Sequence, residues 1–212
     1  MSHYTTTGLD NRKIALWTFI GSECMLFGSL ISTYLVYKGR SLVGPFPHQP
    51  WTDPATGQTY PAILDIPITT ASAFVLLMSS VAMVLAYEAV KHRHDPKVTF
   101  WDKVFGNSKL WLSVTIILGA GFLGFQSFEF TAFYHEGLTL QRNLFGSSFF
   151  LLTGFHGAHV TLGVLWLMSL LATDIKRGLG PKDAGTVDLA ALYWHFVDVV
   201  WILIFTLVYL IE

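Results

Sequence analysis

Residues 144–172 read LFGSSFFLLTGFHGAHVTLGVLWLMSLLA, a run of 29 residues that contains no Asp, Glu, Lys or Arg. A helix needs about 20 apolar residues to cross a hydrocarbon core roughly 30 Å thick, so this run predicts a transmembrane helix. Two histidines, His156 and His159, lie near its middle. Ionisable side chains are costly inside a membrane helix, and they are therefore candidates for function by default.

Four further segments are long and apolar enough to span a bilayer, and they cover residues 13–37, 67–90, 110–135 and 188–211. Hydrophobic residues make up 52% of the 212 and charged residues only 13%, whereas a soluble domain carries about a quarter charged residues. We therefore predict an all-α fold, an integral membrane bundle of five transmembrane helices that forms a single membrane domain over residues 1–212. The longest connection, residues 38–66, is rich in Pro, Gly and Thr and is expected to be irregular.

The basic residues indicate how the bundle is oriented. The five spans place ten of the 13 Lys and Arg residues on the side of the N-terminus and three on the other side. Because basic residues are retained on the cytoplasmic side during insertion, we expect the N-terminus in the cytoplasm and the C-terminus outside. The single cysteine, Cys24, excludes an internal disulfide and a thiolate cluster for iron–sulfur or copper. No phosphate-binding loop or nucleic-acid-binding patch occurs in the sequence, so no nucleic-acid partner is expected.

Five polar residues of the spans can share one layer in the inner half of the membrane, given a rise of about 1.5 Å per helical residue. They are Glu23, His156, His159, His195 and Asp198. Four of them form two pairs spaced three residues apart, so both members of each pair lie on one helix face. We expect His156 to share hydrogen bonds with His195 and Asp198 in this layer.

A second polar pair, Gln126 and Glu129, is also spaced three residues apart but lies close to the outer end of the third span. It belongs to a separate outer layer and is either a functional pair or an ordinary interface group near water. Three further acidic residues, Glu88, Asp174 and Glu136, lie at the ends of spans. We expect these three to be solvated boundary residues.

Small residues recur four positions apart in two of the spans. Ala120 and Gly124 form one such pair, and Gly154 and Ala158 form another. Such pairs either allow two helix backbones to approach closely or merely fill a membrane helix.

Three interpretations of the inner layer remain open. A metal or haem site would use the three histidines, since imidazole is a common ligand, but no cysteine or well-placed methionine completes a copper site. A proton or ion path would use Glu23, His195 and Asp198 as relays, although no proline breaks a span at mid-membrane as in many transporters. In the third interpretation, these groups hydrogen-bond one another and fix helix packing or a partner interface.

Four motifs give the chain a resemblance to a known family. They are GSECMLF at residues 21–27, FQSFEF at 125–130, TGFHGAHV at 153–160 and YWHFVDVVW at 193–201. In these motifs and their order, the chain resembles subunit III of the haem–copper respiratory oxidases, which occurs in cytochrome c oxidases and bo-type quinol oxidases. The resemblance extends from Ala15 to Leu210.

This resemblance implies a five-helix bacterial form, without the first two helices of longer members, in the bacterial plasma (inner) membrane. It implies that the chain itself has no catalytic, cofactor-binding or metal-binding residue, because haem and copper belong to partner subunits. The implied partners are oxidase subunits I and II and bound membrane phospholipid. The chain would flank subunit I near a proton-uptake pathway and support assembly, lipid binding and proton uptake while oxygen is reduced to water.

One residue carries a more specific implication of the resemblance. Glu23 matches a mid-membrane carboxyl that reacts with hydrophobic carbodiimides in relatives, and these reagents attack a protonated acid. Glu rather than Asp at this position favours a cytochrome c oxidase, with a quinol oxidase as the alternative. An independent proton channel or transporter is the alternative from another class of protein.

Overall fold

The computed structural model describes residues 10–54, 57–60, 62–94 and 99–211. Five helices within these ranges are long and apolar enough to cross a membrane, which confirms the predicted fold class. The helices are α1 (Asn11–Tyr37), α2 (Ile66–Lys91), the short α3 (Phe100–Phe105), α4 (Ser108–His135), α5 (Leu144–Arg177) and α6 (Ala184–Phe205). One turn of 3₁₀ helix, Pro181–Asp183, precedes α6, and one turn of π-helix, Thr206–Leu210, follows it.

Two helix ends and the long connection illustrate how the structure differs from the sequence-based prediction. α5 continues to Arg177 rather than ending at 172, and α6 begins at Ala184 rather than at 188. The connection predicted to be irregular contains a short antiparallel hairpin, in which Trp51–Thr52 pairs with Thr59–Tyr60.

Polar side chains set where three of the long helices begin. Asp65, Asn107 and Asn143 each accept a hydrogen bond from the amide three residues later, at 3.2, 3.3 and 2.6 Å. Such caps satisfy amides that have no acceptor inside the helix. Asn143 also donates to the carbonyl oxygens of Val43 and Pro45 at 3.0 Å each, and so it fixes the long connection to the start of α5.

Trp194 occupies the centre of the bundle, where α2, α4, α5 and α6 meet. Its side chain is 1% exposed, and its indole N–H donates to the hydroxyl of Ser79 on α2 at 2.9 Å. A Cβ at Gly119 would lie 2.7 Å from the indole ring, and a Cβ at Gly163 would lie 2.8 Å from it. Glycine at these two positions therefore lets the tryptophan fill the space between the helices.

The two small-residue pairs singled out in the sequence do not make this close contact. A Cβ at Gly124 or at Gly154 would meet no other atom of the described chain within 4 Å. Ala120 and Ala158 are exposed at the surface of the bundle. Within this chain, these four residues fill helix surfaces, and the close approaches lie elsewhere.

Candidate functional site

The five residues predicted to share one inner layer are divided by the structure among three groups. Glu23 pairs with His159 between α1 and α5, whereas His195 and Asp198 bind a common serine between α6 and α2. His156 lies apart from both, among aromatic rings. Across the described ranges, no hydrogen bond joins one group to another. Glu23 and His195 are only partly buried within this chain, and the other three residues are buried.

The first group joins α1 to α5. Nε2 of His159 lies 3.2 Å from Oε2 of Glu23, and Nδ1 lies 2.8 Å from the carbonyl oxygen of Phe155. Because a carbonyl oxygen only accepts, Nδ1 carries a hydrogen, and the bond to Glu23 holds one proton on either the carboxyl or the ring. The Tyr193 hydroxyl donates to the His159 carbonyl oxygen at 3.0 Å and connects this turn of α5 to α6. The side chains of Glu23 and His159 are 16% and 11% exposed, so the pair lies at the edge of the bundle.

The second group joins α6 to α2 through Ser80. The Ser80 hydroxyl donates to Oδ2 of Asp198 at 2.7 Å, and its oxygen lies 3.1 Å from Nδ1 of His195. Since the hydroxyl hydrogen is directed to the carboxylate, Nδ1 of His195 is the donor of the second bond. Oδ1 of Asp198 is buried and has no hydrogen-bond partner among the described residues. Sequence reasoning missed Ser80, although two adjacent serines, Ser79 and Ser80, in the middle of an apolar span were a signal for it.

The expectation that His156 shares hydrogen bonds with His195 and Asp198 was wrong. The His156 ring is fully buried and stacks on Trp201, with ring centroids 5.0 Å apart and an angle of 25° between the planes. Phe122 meets the imidazole edge-on at 5.7 Å. In the part of the chain that the structure describes, neither nitrogen of His156 has a hydrogen-bond partner. His156 therefore acts in this chain as a member of an aromatic cluster.

The outer pair is buried between helices. Gln126 donates through Nε2 to the carbonyl oxygen of Thr153 at 2.7 Å, which joins α4 to α5. Glu129 accepts a hydrogen bond from the Thr69 hydroxyl, which joins α4 to α2. Within this chain, neither residue is an interface group exposed to water, as one interpretation of the sequence supposed.

Asp174, expected to be solvated, is instead fully buried near the end of α5, with 0% of its surface exposed. Arg93 and Ser108 each donate to its carboxylate at 2.6 Å, and the backbone N–H of Leu179 donates at 2.8 Å. A buried carboxylate is tolerated when partners of this kind replace water. The cluster connects the end of α2, the start of α4 and the end of α5. Sequence reasoning missed it because Arg93 and Asp174 are 81 positions apart.

The polar side chains described above can form hydrogen bonds between helices and can bind or release protons there. Over the described ranges, no three His, Cys, Asp or Glu side chains are arranged to hold a metal ion. The fold and these hydrogen bonds between helices place the chain in a class: it is a polytopic helical membrane protein whose buried polar side chains connect its spans.

Comparison with known proteins specifies the family. The chain belongs to the cytochrome c oxidase subunit III family, whose family model matches residues 2–212. Cytochrome c oxidase subunit 3 of Bacillus sp. (strain PS3) is 37% identical over 200 residues, which cover 94% of this chain and 86% of the relative. Quinol oxidase subunit 3 of Bacillus subtilis (strain 168) is 35% identical over 210 residues, which cover 99% of this chain and 91% of that relative.

These similarities confirm the resemblance to subunit III of the haem–copper oxidases. As an oxidase subunit 3, the chain forms a complex with other oxidase subunits. Its five membrane-spanning helices and its bacterial relatives indicate a bacterial membrane protein.

Proposed function

We propose that the chain is the non-redox subunit III of a proton-pumping cytochrome c oxidase in the bacterial plasma membrane, with its N-terminus in the cytoplasm. It supports assembly with subunits I and II, binds phospholipid and maintains proton uptake by subunit I while oxygen is reduced to water. Haem and copper are held by the partner subunits, and this chain takes no catalytic part.

The observation that carries this proposal is the separation of the polar groups. A proton or ion path needs a continuous series of polar groups or water across the membrane. Here Glu23 lies at the contact of α1 with α5, whereas Asp198 lies at the contact of α6 with α2. Large side chains such as Trp194, Trp201 and Phe122 are buried in the interior of the bundle. This arrangement supports a role in packing and partner contact over an independent channel.

The experiment is to purify the chain from its native membrane in mild detergent and to reconstitute the chain alone in parallel. The purified material should contain haem-bearing subunits, and the chain alone should show no Soret band and no stoichiometric iron or copper. Liposomes that contain the chain alone should not move protons faster than empty liposomes. Migration without haem-bearing partners, or proton movement by the isolated chain, would contradict the proposal.

Cytochrome c is proposed as the electron donor because Glu rather than Asp occupies position 23, as the family resemblance implies for cytochrome c oxidases. Quinol is the second candidate, since similar relatives carry either name. The assembled complex should oxidise reduced cytochrome c faster than a soluble quinol. The reverse preference would identify a quinol oxidase and would leave the role of the chain unchanged.

A further inference from the structure

A cationic pocket lies between the end of α2, the short helix α3 and the first turn of α4. Its volume is about 400 Å³, and its walls include Arg93, Lys103, Asn107, Ser108 and Lys109. It is separate from the two polar groups that contain Glu23 and Asp198, and the proposed function does not use it.

Two lysines give this pocket its net positive charge. The charge of Arg93 is balanced by buried Asp174 at 2.6 Å, so the guanidinium forms a fixed wall. Among the described residues, neither Lys103 nor Lys109 forms an ion pair with a carboxylate. Asp102, which precedes Lys103, instead accepts a hydrogen bond from the backbone N–H of Thr99 at 2.8 Å. The pocket therefore presents two ammonium groups without a described counter-charge.

The opposite side of α3 is aromatic. Trp101 and Phe105 lie one turn apart, are 62% and 47% exposed and stack at 6.1 Å. Phe105 also stacks on Trp111 of α4 at 6.0 Å, which ties α3 to the first turns of α4. Lys103 lies two residues from both Trp101 and Phe105 and thus on the other side of the helix. Tryptophan concentrates where the hydrocarbon meets the headgroups, so α3 has the pattern of a helix at this boundary.

We propose that this pocket binds the phosphate headgroup of an anionic phospholipid. Lys103 and Lys109 pair with the phosphate, while Trp101 and Phe105, on the other side of α3, hold this helix at the membrane boundary beside the bound lipid. Basic pockets beside transmembrane helices recognise anionic headgroups in this way. Free phosphate would use the lysines alone and would not require a helix whose other side is aromatic and lies at the membrane boundary. The inference rests on the proposed function for the membrane location, and it assigns a site to the phospholipid that this function includes.

The test uses the purified, delipidated oxidase complex, titrated with phosphatidylglycerol or phosphatidylcholine and analysed by native mass spectrometry. The variant Lys103→Gln/Lys109→Gln removes both charges of the pocket. The matched control Lys176→Gln/Lys182→Gln removes the same charge from exposed residues outside the pocket. The pocket variant should lose about fivefold in phosphatidylglycerol affinity per lysine, while its phosphatidylcholine binding and the control should stay at wild-type values.

Three outcomes would overturn this inference. They are unchanged phosphatidylglycerol affinity in the pocket variant, an equal loss in the control, and displacement of the lipid by inorganic phosphate at similar concentrations. Should the glutamine variant fail to assemble, Lys103→Gln alone replaces it, with an expected loss of about fivefold. Co-purification with haem-bearing subunits is scored in every sample. Its failure in the wild type contradicts the proposed function, whereas intact co-purification without lipid preference contradicts only this inference.

Discussion

Glu23 on α1 and His159 on α5 are joined by a hydrogen bond of 3.2 Å between Oε2 and Nε2, while Nδ1 of His159 bonds to the Phe155 carbonyl oxygen of its own helix. The arrangement keeps a carboxyl at the edge of the bundle beside a group that can give or take a proton. α1 has only three buried residues, Ile20, Phe27 and Tyr34, so few contacts hold it to the other helices. The bond between Glu23 and His159 therefore contributes to the attachment of α1.

Replacing Glu23 by Gln should preserve assembly and abolish labelling by a hydrophobic carbodiimide. The amide N–H of Gln can donate to Nε2 of His159, so the link between α1 and α5 is retained, but an amide offers no carboxyl to the reagent. Mass spectrometry of the labelled complex gives the measurement. Asp198→Asn is the control and should leave labelling intact. Labelling that persists in Glu23→Gln would place the reactive acid elsewhere.

Replacing each of two histidines of α5 by Phe should have different effects on the stability of the complex: His159→Phe should lower it, and His156→Phe should leave it unchanged. His159→Phe leaves Glu23 without its partner, and an unpaired buried polar group costs about 1–3 kcal/mol. His156→Phe loses no described hydrogen bond and keeps a ring against Trp201, so it should be tolerated. Thermal inactivation of the purified complex measures both variants. Equal destabilisation by the two substitutions would show that the hydrogen bond to Glu23 is not what distinguishes them.

Adding a methyl group beside Trp194 should destabilise the bundle. In Gly119→Ala or Gly163→Ala the new Cβ would lie 2.7 or 2.8 Å from the indole, so the ring or a helix must shift. Overpacking of this kind typically costs about 1–3 kcal/mol. The matched controls Gly124→Ala and Gly154→Ala add the same methyl group where no described atom lies within 4 Å. Their thermal inactivation should match the wild type, and a similar loss in all four variants would refute the role of Trp194.

The distribution of basic residues makes a prediction about topology. A reporter fused after Glu212 should be active only outside the cell, and one inserted beside Lys97 should be active only in the cytoplasm. The reason is the excess of ten basic residues over three on the side of the N-terminus. Activity in the opposite compartments would reverse the proposed orientation.

The spans could be predicted because length and hydropathy alone decide whether a helix can cross a membrane. The faces that meet could not, because helices that are apolar on all sides give no periodic signal of their neighbours. Depth alone placed His156 with His195, yet the rotation of α5 directs His156 to Trp201. Asp174 lies near the end of a predicted span, so the sequence indicated a solvated side chain. Its partner Arg93 is distant in sequence, and the ion pair between them could not be predicted.

Ser80 is the common partner of His195 and Asp198, so Ser80→Ala removes two hydrogen bonds between α2 and α6 at once. Each stranded group should cost about 1–3 kcal/mol. We expect less of this subunit to remain on the complex and the enzyme to lose activity sooner during turnover. Initial oxygen consumption should stay near the wild-type rate, because a looser helix contact does not alter a haem in another subunit.

Two further variants, compared with Ser80→Ala, show whether this network supports helix packing or transfers protons. Thr70→Ala removes an exposed hydroxyl of the same helix whose only hydrogen bond among the described residues goes to the Ile66 carbonyl oxygen, and it should change nothing. Asp198→Ala should resemble Ser80→Ala, and combining the two should add little, because both break one network. Subunit retention and oxygen uptake over repeated turnovers measure the effect. Immediate and complete loss of oxygen consumption in a fully assembled Ser80→Ala or Asp198→Ala complex would instead make these residues part of an obligatory proton path.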